Sequence, residues 1–157
     1  MSEKKKVLVI DDDTYICNLL KNYLEQKGYK TEAAYSGASA KKMITADPYD
    51  LILCDYRLPD SDGLKMLRFI ISKRPSTAVV IMTAYAEVKM AVELIKSGAF
   101  DYITKPLQPE EVLVVINKAI ESKNKRLTHT SFGDNFITGS SAGIKEVMKE
   151  VKVVSPT

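Results

Sequence analysis

Residues 7–13 read VLVIDDD: four β-branched or aliphatic residues followed without interruption by three carboxylates. A run of apolar residues with no polar alternation is the pattern of a strand buried on both faces, as in the interior of a parallel sheet. Acids placed directly after it would crown the carboxyl end of that strand, where open α/β sheets bind their ligands. Similar runs follow along the chain, at Thr31 to Ala34, Leu51 to Cys54, Ala78 to Met82 and Asp101 to Thr104. Between them lie longer stretches of helical periodicity. Ile16, Leu19, Leu20, Tyr23 and Leu24 form one apolar face, with Asp13 or Thr14 as the cap and Gly28 as the stop. Further helices are predicted from Ser39 to Ala46, Leu64 to Lys73, Glu87 to Ser97, and from Pro109 through Ile120 or beyond. Five βα units with right-handed crossovers give an α/β fold: a doubly wound, five-stranded parallel sheet of flavodoxin-like order 2-1-3-4-5 with five helices.

Composition sets the outer limits. The chain has 157 residues, 23 basic and 20 acidic, for a net charge of +3, with 45% apolar residues. That suffices for one domain and a short extension, and it argues against a disordered polyelectrolyte. The basic excess is too small to imply direct nucleic-acid contact. Only four apolar residues follow the N-terminal lysines, short of a signal-peptide core, and no apolar run approaches the ~18 residues that span a bilayer. A cytoplasmic protein without membrane contact is expected. Cys17 and Cys54 have no metal-ligand spacing and His129 is the one histidine, so the cysteines are expected as reduced core residues.

Two strand ends carry acids. Asp11, Asp12 and Asp13 follow the first strand and Asp55 follows the third, and these strands are neighbours at the topological switch point. Asp13 reads as a helix cap. Asp12 and Asp55 do not reduce to caps. Two carboxylates a few ångströms apart repel by about 4 kcal/mol at an effective dielectric near 20, which calls for a proton or a cation. Mg²⁺ suits such a site because it takes one or two carboxylates and completes its shell with water and phosphate oxygens. Phosphate chemistry with a carboxylate nucleophile follows. The next strand ends supply its partners, the hydroxyl of Thr83 and the ammonium of Lys105.

The segments VLVIDDD, LILCDYRLPDSDG, VVIMTAY and AFDYITKP together resemble the signature of the receiver domain of two-component response regulators. The resemblance covers residues 5 to about 122, and a receiver domain is expected over residues 1–122. It implies that Asp55 accepts a phosphoryl group from a sensor histidine kinase in a self-catalysed reaction, the domain not being an enzyme otherwise. It also implies that Asp12, Asp55 and the Arg57 carbonyl hold Mg²⁺ directly with Asp11 acting through water, that Thr83 and Lys105 bind the phosphoryl oxygens, and that Tyr102 is the switch aromatic that turns inward with Thr83. The Lys105–Pro106 peptide is cis in that family.

Residues 123–135 are polar and read as a linker whose first half could continue the fifth helix. Residues 136–157 resemble the start of the ATPase domain of nitrogen-regulatory, sigma-54-dependent activators, truncated here. Gly139 to Lys145 is not a phosphate loop, since Ile144 and Glu146 stand where Gly and Ser or Thr belong. ATPase and DNA-binding domains of a longer transcription regulator are implied beyond this chain. Leu113, Ile120 and Leu127 are seven apart, and a homodimer through the fourth helix, fifth strand and fifth helix is expected.

Two other functions compete. A haloacid-dehalogenase-type, Mg²⁺-dependent phosphohydrolase would use Asp11 as nucleophile, but its motif would need threonine where Tyr15 stands. A docking module indifferent to phosphate would not need every chemical position filled. A dinucleotide site fails because carboxylates replace the glycine turn.

Overall fold

The three inner strands of the main sheet are apolar on both sides, and the two sides are filled by different helices. In the computed structural model, which describes residues 4–85 and 87–132, the elements run β1 (Lys6–Ile10), α1 (Thr14–Gln26), β2 (Lys30–Ala34), α2 (Gly37–Ala46), β3 (Leu51–Asp55), β4 (Arg57–Leu58), β5 (Ser61–Asp62), α3 (Gly63–Lys73), β6 (Ala78–Thr83), α4 (Val88–Lys96), β7 (Asp101–Thr104) and α5 (Pro109–Phe132). The main sheet is parallel with order β2-β1-β3-β6-β7. With the short antiparallel ribbon β4–β5 set aside, this is the expected 2-1-3-4-5. Leu8, Ile10, Ile52, Cys54, Val79 and Ile81 pack with α2, α3 and α4 residues such as Ile44, Leu67, Ile70 and Leu94. Their alternates Val7, Val9, Leu51, Leu53, Val80 and Met82 pack with Leu20 and Leu24 of α1 and Val112, Ile116 and Ile120 of α5. A period of two along each strand thus divides one run of apolar residues between two cores.

Local chemistry sets the boundaries. Asp13 caps α1 by accepting from the Tyr15 and Ile16 amides, as its sequence position predicted. Helices α2 and α3 each begin earlier than expected, because Ser36 and Asp62 act as the caps and accept from Ser39 N and Lys65 N. The cysteines are free and buried, one in each core, and burial first of all pushes the Cys17 thiol up to about 12, so neither the geometry nor the chemistry favours a disulfide.

Gly98 closes α4 at φ +114°, and a Cβ there would sit 2.2 Å from Ile71 Cδ1. Gly98→Ala is therefore expected to cost about 2 kcal/mol through strain and overlap; a urea midpoint equal to that of the parent protein would contradict this.

The chain divides into a unit ending at Glu121 and a second from Ser122. The backbone stays helical through Phe132, so the polar stretch after Ser122 begins as a continuation of α5. Ile120 belongs to the core, which removes it from any exposed heptad seam. The side chains of residues 124–132, Leu127 and His129 included, and the segment 133–157 with its expected ATPase start lie outside the described residues. Among those described, no helix is long and apolar enough to cross a membrane.

Candidate functional site

The sheet delivers its polar groups at one edge. Strands β1 and β3 run side by side with Ile10 level with Cys54, so the next residues, Asp11 and Asp55, emerge together at the switch point. Both are buried, at 0% and 7% exposure, while Asp12 is exposed. One oxygen from each of these three carboxylates lies within 4.8 Å of the others. Asp13, by contrast, points into the α1 cap.

Lys105 follows the end of β7 directly and is itself the first residue of the cis Lys105–Pro106 peptide. Its Nζ lies 2.9 Å from Asp11 Oδ2 and 3.2 Å from Asp55 Oδ1. The Asp13 amide donates to the other Asp11 oxygen at 2.9 Å, so Asp11 has a partner on each oxygen. Asp55 has the less favourable position. Burial, then the charge of Asp11, raises its pKa, and Lys105 only partly opposes them. Burial also disfavours the Lys105 cation, but the hydrogen bond and charge of Asp11, with those of Asp55, outweigh it and raise its pKa. The site is therefore one ammonium shared by two buried carboxylates with a third at the mouth, an excess of negative charge. Its donors are carboxylate oxygens, and their spacing is comparable to the roughly 4 Å across one Mg²⁺ shell, so the residues fit a small hard cation.

The other expected residues stand around this centre. Thr83 is buried at the end of β6, and its peptide carbonyl accepts from Lys105 N at 2.7 Å. Its hydroxyl is held by Tyr85, donating to the Tyr85 carbonyl and accepting from its amide, both at 3.1 Å. Arg57 is exposed and its guanidinium lies 5.2 Å from the Tyr85 ring centre. With Thr83, these two line an open cleft of about 510 Å³. Tyr102 is half-buried, packed against the α2–α3–α4 core and lining an apolar hollow with Val88, Val92 and Ile95 of α4. The structure thus joins Asp11, Asp12, Asp55 and Lys105 directly, and keeps Thr83 and Tyr102 on neighbouring strand ends with other partners.

One contact of the loop that follows Asp55 escaped the sequence reading. Asp60, at the tip of the β4–β5 ribbon, accepts from the Gly37 and Ala38 amides at 2.8 and 2.9 Å. The short motif LPDSDG marks a turn, but only the fold shows what lies against it.

A comparison with family models matches residues 7–117 to the response regulator receiver domain. Among curated proteins, the chain is similar to the transcriptional regulatory protein ZraR of Escherichia coli strain K12, at 34% identity over 157 residues, covering 96% of this chain and 35% of that one. The chain spans about a third of the length of such relatives. Among solved structures it is similar to a CheY-like receiver domain protein of Methanospirillum hungatei, with TM-score 0.76, 31% identity, and 79% and 99% of the two chains covered. It is also similar to a beryllofluoride-activated NtrC4 receiver domain dimer, with TM-score 0.72, 34% identity, and 75% and 98% covered. The hydrolase reading gains no support: the match is to a signalling domain, and Asp11, its required nucleophile, is fully buried and bonded through both oxygens.

Proposed function

The chain belongs to the response regulator receiver family, a family of signalling domains, and from that membership we propose that Asp55 is its phosphoacceptor and that Asp11, Asp12, Lys105 and Thr83 serve the transfer. The observation that carries this reading is the shared ammonium: Lys105 Nζ touches both Asp11 and Asp55 at a buried strand end. An Asp55 oxygen attacks the phosphorus of a kinase phosphohistidine; the O–P bond forms as the P–N bond breaks, and the imidazole takes the electron pair and a proton. Asp11, Asp12, Asp55 and the Arg57 carbonyl would hold Mg²⁺, which when bound would neutralise the carboxylates and the incoming oxygens. Lys105 meets a phosphoryl oxygen without leaving its place. The Thr83 hydroxyl exchanges Tyr85 for another, and Tyr102 follows it inward.

The test is to incubate the chain with acetyl phosphate and Mg²⁺ and locate the base-labile label by peptide mapping. Label on Asp55 is expected; label on Asp11, or none, overturns the reading.

The domain at 1–122 would thus control a sigma-54-dependent, DNA-binding output through the linker at 123–135, in the cytoplasm. Its second partner is another copy of itself. Val88 and Ile95 of α4 and Val114 of α5 are 80%, 44% and 51% exposed, apolar surface that a symmetric contact would cover. Phosphorylation mimicked by beryllofluoride is expected to double the molar mass by light scattering, and Ile95→Glu to leave it at the monomer value. A variant that dimerises like the parent protein would place the contact elsewhere.

A further inference from the structure

The phosphoacceptor loop is fastened at a point the transfer itself does not use. After Asp55 the chain forms the β4–β5 ribbon, with Arg57 opposite Asp62 and Leu58 opposite Ser61. Pro59 and Asp60 make the tip. A pair of two-residue strands is too short to hold its own conformation in water. The tip carboxylate reaches instead to the first turn of α2, where a helix leaves unpaired amides. Asp60 Oδ1 accepts from Gly37 N and Oδ2 from Ala38 N, one oxygen for each amide. Ser36, the cap of α2 itself, serves Ser39 N and leaves these two to Asp60.

The fit is close. A Cβ on Gly37 would lie 3.0 Å from both Asp60 Oδ1 and Ser61 Cβ, so the helix approaches the ribbon as near as a glycine permits. Those amide bonds hold the Asp60 carboxyl below its usual range, so it remains an anionic acceptor wherever the site operates.

We infer that Asp60 is a positioning residue for the cation site: by fastening the ribbon tip to the α2 N-terminus, it fixes the Arg57 backbone next to Asp55 and so sets Mg²⁺ affinity. This rests on the reading of Asp11, Asp12 and Asp55 as the Mg²⁺ ligands. Asp60 touches neither the ion nor the phosphoryl group. It acts through the ribbon, as groups beyond the ligands commonly do at metal sites.

The probe is Mg²⁺ alone, titrated against the tyrosine fluorescence of the chain, which has no tryptophan and carries Tyr56 directly after Asp55. Asp60→Ala is expected to weaken Mg²⁺ binding about tenfold, Asp60→Asn, which retains one acceptor, by less, and Gly37→Ala to reproduce the loss from the other side of the contact. Arg74→Ala is the control for a merely loosened α2. Arg74 donates to the Ile44 and Thr45 carbonyls at the opposite end of that helix, so its removal should lower the melting temperature and leave Mg²⁺ affinity unchanged.

Equal affinity in Asp60→Ala and the parent protein overturns the inference, as does an equal loss in Arg74→Ala. If Asp60→Ala does not fold, Asp60→Asn and Gly37→Ala decide on the same criteria. Asp55→Asn separates the two levels: if it binds Mg²⁺ as the parent does, the ligand assignment and this inference fall together. If it loses binding while Asp60→Ala does not, only the inference falls.

Discussion

Asp55→Asn removes all acetyl-phosphate labelling and, in metal-free buffer at neutral pH, makes the protein more stable. The first effect follows from chemistry, since an amide oxygen is a poor nucleophile and Asp11, fully buried and bonded through both oxygens, cannot take its place. The second follows from the charge balance. The Asp55 carboxylate is penalised by burial and by Asp11 more than Lys105 repays, so its neutral isostere sits more comfortably. A gain of about 1 kcal/mol, or roughly 2–4 °C in the melting temperature, is the expected scale. Added Mg²⁺ should then stabilise the parent protein and leave Asp55→Asn unaffected. A variant that melts lower than the parent in metal-free buffer would show that Asp55 helps hold the fold together, contrary to the electrostatics of the site.

The pH dependence of this difference has a defined sign. The folded-state pKa of Asp55 lies above its ordinary value of 3.8. Protonated Asp55 therefore contributes stability that is complete below the unfolded pKa and is lost as pH rises through the folded one. The parent and Asp55→Asn should converge in melting temperature below about pH 4 and separate above it.

How much of this could be read from the residues alone depends on where each contact lies along the chain. The three inner strands were legible because burial on both faces leaves uninterrupted runs such as VLVI and LILC, the two edge strands from their place between helical stretches, and right-handed crossovers narrow the order. Asp11, Asp12, Asp55 and Lys105 were legible because a strand end needs no further geometry to be placed at the sheet edge. The β4–β5 ribbon was not, since two-residue strands carry no periodicity. The starts of α2 and α3 were missed by one or two residues because the cap lies outside the apolar pattern. The Asp60–Gly37 contact joins two turns 23 residues apart, and no local pattern encodes which turns meet. For Thr83 the sequence placed the residue but not its hydroxyl, which Tyr85 holds, a rotamer choice that depends on the turn after β6.

Lys105→Met is expected to be the most destabilising single change at the site. Its ammonium is the cation between Asp11, whose side chain is fully buried, and Asp55, whose side chain is 10% exposed. Deleting one member of a buried pair leaves the other charge without compensation, and that costs about 3–5 kcal/mol; here two carboxylates are left. In metal-free buffer the melting temperature should fall by about 10 °C. Because Lys105 has its pKa raised above 10.5 in the fold, the stability it contributes is fully present below that value and is lost only as pH rises through the folded-state pKa. The deficit of Lys105→Met should therefore persist across the neutral range and shrink only in acid, where protonation relieves the carboxylates. Asp11→Asn added to Lys105→Met should recover part of the loss, because the two residues share one interaction and their effects cannot add. Strict additivity in that cycle, or a melting temperature unchanged by Lys105→Met, would mean that the ammonium is a surface charge resting near the cluster, and the excess of negative charge that suits the site to a cation would have to be balanced by another group.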